Sequence, residues 1–137
     1  MKIMGIDYGD ARTGVAISDL LCSILGSTAV VPSRNREKLM ADILRLIQDN
    51  GVGEVVVGLP KNMDGTEGAR AELCRAFADE LKERCGLPVA MWDERRTTVE
   101  AHNILSAHNY HGQKRKNTVD AVAASLILEG YLAYRKR

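Results

Sequence analysis

Aromatic residues are scarce in this chain. Phe, Trp and Tyr make up 4% of its 137 residues. A surface that recognises bases by stacking on exposed rings is therefore a weak reading, and Met91 and Trp92 read as core residues of a strand. Cysteine is equally thin: Cys22, Cys74 and Cys85 are odd in number, widely spaced and form no CxxC pair, which argues against a disulfide framework or a zinc site. His102, His108 and His111 show no metal-ligand pairing and read as surface residues. Apolar runs such as residues 55–57 are far too short to span a bilayer, and the N-terminus enters a strand without a signal-peptide pattern, so a soluble, cytoplasmic protein is expected. Internal repeats and low-complexity linkers are also missing. What is present is enough apolar material, 45% of residues, to bury the core of one domain over residues 1–137.

Net charge is +1, but the charge is unevenly placed. Residues 101–137 hold six Lys/Arg against Asp120 and Glu129, an excess of +4, and the remaining hundred residues are near neutral. Arg135, Lys136 and Arg137 read as a solvated tail. Residues 108–117 (HNYHGQKRKN) carry no apolar periodicity and are expected to form a basic loop between helices.

Hydrophobic patterning predicts the order β-β-β-α-β-α-β-α-α. Strands are expected over residues 2–7, 14–18 and 27–31, with short connections that favour an antiparallel meander. Leu39, Met40, Ile43, Leu44 and Ile47 give a first helix ending at Asn50-Gly51. Residues 55–59 (VVVGL) are continuously apolar, as expected of a strand covered on both faces, and Pro60 closes it. Ala69, Leu73, Phe77 and Leu81 mark a second helix stopped by Gly86. Residues 88–92 form a fifth strand, Thr97 with Glu100 gives a capping box for a third helix, and Thr118 caps a last helix whose apolar face includes Val122, Ala123, Leu126, Ile127 and Tyr131. A five-stranded mixed sheet flanked by helices, in this order, resembles the ribonuclease H-like α/β fold.

Three carboxylates fall where such a core brings separated segments together. Asp7 ends the first strand, Glu94 follows the fifth, and Asp120 is expected in the first turn of the last helix. Ligands of open α/β sheets gather beyond the carboxyl ends of parallel strands. Converging acids repel unless divalent cations neutralise them, and hard cations such as Mg²⁺ or Mn²⁺ take oxygen ligands. A pair of such ions activates water and steadies the leaving oxygen of a phosphodiester. Blander readings exist: Asp7 as a turn former beside Gly9, and Asp120 as an acid favoured by a helix N-terminus. Asp93 and Glu94 lie on opposite faces by strand alternation, and Glu94 is preferred as the ligand.

Several segments together carry a resemblance. Ile6-Asp7-Tyr8-Gly9 with Thr13-Gly14-Val15-Ala16, Val57-Gly58-Leu59-Pro60 with Asn62-Met63-Asp64-Gly65-Thr66, Asp93-Glu94-Arg95 with Thr97-Thr98-Val99-Glu100-Ala101, and Asp120-Ala121-Val122-Ala123-Ala124 resemble the YqgF family, also called RuvX, through nearly the whole chain. The resemblance implies a bacterial ribonuclease H-like nuclease, first proposed as a Holliday-junction resolvase and later associated with processing the 5′ end of the 16S rRNA precursor. It implies Asp7, Glu94 and Asp120 as metal-binding acids, with Asp93 adjoining.

Candidate substrate contacts are cationic: Arg12, Lys61, Arg95, Lys114, Arg115 and Lys116, with Arg96 a further neighbour of the acids. Each arginine can instead neutralise a nearby carboxylate. The loop over residues 58–66 has two readings, a backbone approach to phosphate helped by Lys61 and a tight connection around Asp64-Gly65. The favoured function is a metal-dependent nuclease acting on precursor rRNA, with the ribosome as a partner to consider. Branched DNA is the alternative substrate, and a non-catalytic nucleic-acid-binding module is a different class. The Asp7-Tyr8-Gly9 to Gly14 segment also resembles the first phosphate loop of actin-like ATPases, but those clamp nucleotide between two such domains and this chain has room for one.

Overall fold

A computed structural model of the chain describes residues 1–22, 25–96 and 112–135, and of residues 96 and 112–118 the backbone alone. Five strands form one sheet: β1 (Lys2–Asp7), β2 (Arg12–Ser18), β3 (Leu25–Pro32), β4 (Val52–Leu59) and β5 (Val89–Asp93). Their spatial order is β3-β2-β1-β4-β5. The first three strands run as an antiparallel meander, while β1 pairs in parallel with β4 and β4 with β5. This is the mixed sheet the sequence predicts.

Helices cover both faces. Strand alternation sends Met4, Ile6, Val15, Ile17, Val55 and Val57 to one side, where they pack with α1 (Arg36–Asn50) and α2 (Ala69–Cys85). Ile3, Ala16, Val56 and Trp92 emerge on the other side and pack under α3 (Gly112–Arg135) through Ala124, Ile127, Leu128 and Leu132. Helix α1 starts where Asn35 accepts from the Lys38 amide at 3.1 Å and stops where Gly51 takes φ +66°, a left-handed conformation that glycine adopts without a Cβ penalty.

Three expectations need correction. The last helix begins at Gly112, not at a Thr118 cap, so residues 112–117 are helical and Lys114, Arg115 and Lys116 sit in the opening turns of α3, outside any loop. Gln, Lys and Arg are strong helix formers, and a turn that has no apolar face to bury shows no periodicity to read. Asp120 accordingly lies in the interior of α3, beyond its first turn. On α2 the buried face is Ala71, Cys74, Phe77, Ala78 and Leu81, while Leu73 is exposed. Positions four apart rotate by about 40° each step around a helix of 3.6 residues per turn, so a strict i+4 series does not keep to one face: this one is exposed at Ala69 and Leu73 and reaches the core at Phe77 and Leu81. The capping box of Thr97 and Glu100, the helix it would open, and His102, His108 and His111 lie outside the described residues.

Candidate active site

Asp7 is the last residue of β1 and shares its face with Ile3 and Gly5, beneath α3. Its cross-strand partner is Gly14. A Cβ built on Gly14 would fall 2.1 Å from the Asp120 carbonyl oxygen, so only glycine lets α3 cross β2 this closely, and the crossing sets Asp120 over the end of β1. Glu94 follows β5 in a single 3₁₀ turn. A Cβ on Gly58 would meet the Glu94 carboxyl carbon at 2.8 Å, so this carboxyl rests on bare β4 backbone, next to the strand that ends in Asp7. Gly14 and Gly58 thus clear space for α3 at Asp120 and for the Glu94 carboxyl after β5, both beside the end of β1.

Asp7 and Glu94 are hydrogen-bonded to each other, with Glu94 donating. Burial pushes the Asp7 carboxyl above its ordinary range, the nearby Asp120 charge adds to that, and the bond from Glu94 and the charge of Arg70 oppose it. Glu94 is pushed up to about 8, first by burial and then by the charge of Asp7 and the proton it shares with Asp7. Both carboxyls are thus pushed toward the protonated form, and the hydrogen bond between them joins two oxygens that would otherwise repel. Asp120 faces Arg12, whose Nε donates to Oδ2 at 2.8 Å, with side chains 29% and 19% exposed.

Asp93 points to the opposite face. There Arg95 donates to it through Nε at 3.0 Å and Nη2 at 2.6 Å, and these bonds hold its carboxyl below the usual range. Arg95 is therefore bound to Asp93 and is not aimed at the Asp7–Glu94 pair. Lys61 lies near Asp93 and Glu67. The 58–66 segment ends in a tight turn: the Asn62 amide donates to Thr66 O at 2.8 Å, the Gly65 amide to Asn62 O at 2.9 Å, and Gly65 takes φ +89°. Two residues near the acids escaped the sequence reading, Asp10 and Arg70, whose side chains pair at 2.8 Å. The one available signal was position, since Arg70 opens the helix after β4, on the edge where ligands of such sheets collect.

Among the described residues no group of three His, Cys, Asp or Glu side chains closes into a metal cage. The donor chemistry nevertheless suits a hard cation. Two buried carboxyls sharing a proton are the state that a divalent ion would replace, and Asp120 would join them on exchanging Arg12 for the ion.

Residues 1–134 match a family described as RuvX, Holliday junction resolvase. A relative from Halothermothrix orenii named "Putative pre-16S rRNA nuclease" is 47% identical over 137 residues, covering 100% of this chain and 98% of its own length. A second of the same name, from Carboxydothermus hydrogenoformans, is 42% identical over 137 residues, covering 100% and 99%. Among solved structures, Thermus thermophilus RuvC in complex with a Holliday junction substrate superposes with a TM-score of 0.65 at 15% identity, over 99% of this chain and 96% of that one. The likeness establishes the ribonuclease H-like fold.

Proposed function

The chain belongs to the RuvX family, and from that premise we propose that it is a single-domain, metal-dependent nuclease that cleaves structured nucleic acid, the 16S rRNA precursor first among its substrates. The observation that carries this reading is the buried, hydrogen-bonded pair of Asp7 and Glu94 at one sheet edge, with the Asp120 charge near enough to act on Asp7. Asp7, Glu94 and Asp120 are the proposed ligands of Mg²⁺ or Mn²⁺, and Asp93, tied to Arg95 on the other face, adjoins them as a support. When bound, the ions supply an activated water and a charge clamp on the leaving oxygen. To hold the ions, Asp7 and Glu94 would have to lose the proton between them and Asp120 would exchange Arg12 for the ion, leaving Arg12 to pair with a phosphate. Lys61, Arg95, Lys114, Arg115 and Lys116 are the remaining proposed contacts to the sugar-phosphate chain.

Branched DNA is the second substrate to weigh, because the family description names Holliday junction resolution. No helix among the described residues is long and apolar enough to cross a membrane. The deciding experiment presents precursor rRNA and four-way DNA junctions to one preparation, with Mg²⁺, Mn²⁺ or EDTA and an Asp7→Asn control. Cleavage of precursor rRNA that needs the ion and falls at least roughly 100-fold in the variant is the expected result, since loss of a direct ligand should exceed the loss seen for outer-shell partners. Wild-type rates in Asp7→Asn would end the assignment.

A further inference from the structure

Arg70 stands among the acids without a part in the scheme above. As the second residue of α2 it returns to the site directly after the 58–66 segment. Its Nη1 donates to Asp10 Oδ1 at 2.8 Å and its Nη2 to the Tyr8 carbonyl, and the guanidinium carbon lies 5.2 Å from the centre of the Tyr8 ring. Its charge acts on both Asp7 and Glu94. The other arginines with described side chains at this edge are engaged elsewhere, Arg12 with Asp120 and Arg95 with Asp93.

The two anchors of Arg70 differ in strength. Asp10 is 86% exposed at its side chain, and an ion pair in that setting contributes little beyond what water offers either partner. The Tyr8 carbonyl and ring hold the guanidinium from the protein side and stay in place whatever Asp10 does. A polyanion entering a cleft of three acids needs a cation within reach, and a planar guanidinium matches the oxygens of a phosphate. We propose that Arg70 is a phosphate-binding residue of this site, keeping the Tyr8 carbonyl and exchanging Asp10 for a non-bridging oxygen of the phosphodiester beside Asp7 and Glu94. The inference rests on the nuclease reading and adds a substrate contact to it. Asp10 is then a placeholder that competes with the substrate.

Wild type, Arg70→Gln, Arg70→Lys and Asp10→Asn are compared in two assays: Mn²⁺-dependent cleavage of precursor rRNA and of a four-way DNA junction, and binding of the same nucleic acids in EDTA. Arg70→Gln should weaken binding and lower kcat about 100-fold, the scale of losing one preorganised charge contact. Arg70→Lys should recover most of the binding but little of kcat, because an ammonium lacks the fork. Asp10→Asn should move the other way, binding severalfold more tightly, because the competitor has been neutralised. A merely structural tie between α2 and the β1–β2 turn would instead make Arg70→Gln and Asp10→Asn lose melting temperature and binding together. That outcome, or a wild-type kcat in Arg70→Gln, overturns the inference. If Arg70→Gln fails to fold, the sign of the Asp10→Asn effect decides. If the wild type cleaves nothing, the nuclease reading fails, and binding in EDTA still tests Arg70: a loss in Arg70→Gln supports the contact and equal affinity removes it.

Discussion

Glu94 shows how one side chain's surroundings become a property of the folded state. Its pKa rises to about 8 and that of Asp7 also rises, so the folded, metal-free chain binds protons more tightly than the unfolded one. The stabilising contribution is complete below the ordinary carboxyl range and is lost as pH climbs toward 8. Urea unfolding in EDTA should therefore show stability falling with rising pH above about 4.5, by at most roughly 1.4 kcal/mol per pH unit for one proton. Glu94→Gln, which mimics the neutral acid, should flatten that slope. A slope unchanged by the substitution would mean that the proton resides elsewhere. The proposed acids were named in the sequence by position, Asp7 at the end of the first strand, Glu94 just after the fifth and Asp120 in the last helix. Their partners were not: Arg12 and Asp120 meet across 108 residues, and no local pattern carries such a pairing.

Helix α3 decides whether these acids meet at all. Gly14 leaves room for its backbone, and a methyl group there would stand 2.1 Å from the Asp120 carbonyl oxygen. Gly14→Ala should cost about 1–3 kcal/mol as the helix shifts to relieve the overlap, and Mn²⁺ affinity measured by calorimetry should fall with it. Stability and metal affinity equal to wild type would show that α3 does not rest on β2 this closely. Element types were readable from apolar spacing, including all five strands and the Asn50-Gly51 stop of α1. Boundaries and faces were less so. The basic sequence at the start of α3 has no apolar stripe that could announce a helix, and Leu73 belongs to an i+4 series that reaches the core only at Phe77 and Leu81.

Across the whole molecule, one sheet separates two apolar cores, and the acid edge belongs to the face under α3. The basic excess of residues 101–137 is carried partly by that same helix, where Lys116 precedes Asp120 by one turn. Substituting Ala for Lys114, Arg115 and Lys116 together should weaken nucleic-acid binding and reduce the slope of log affinity against log salt by roughly two to three, as expected for three lost phosphate contacts. An unaltered slope in filter-binding titrations would take these residues out of the interface. The order in which the acids occur along the chain has a further consequence. Asp7 and Glu94 are synthesised well before Asp120, which reaches them only when the final helix has left the translating ribosome and docked. A nascent chain made only as far as Glu94 therefore still lacks one of the three acids proposed to hold the ions, and the proposed site is incomplete until α3 has docked.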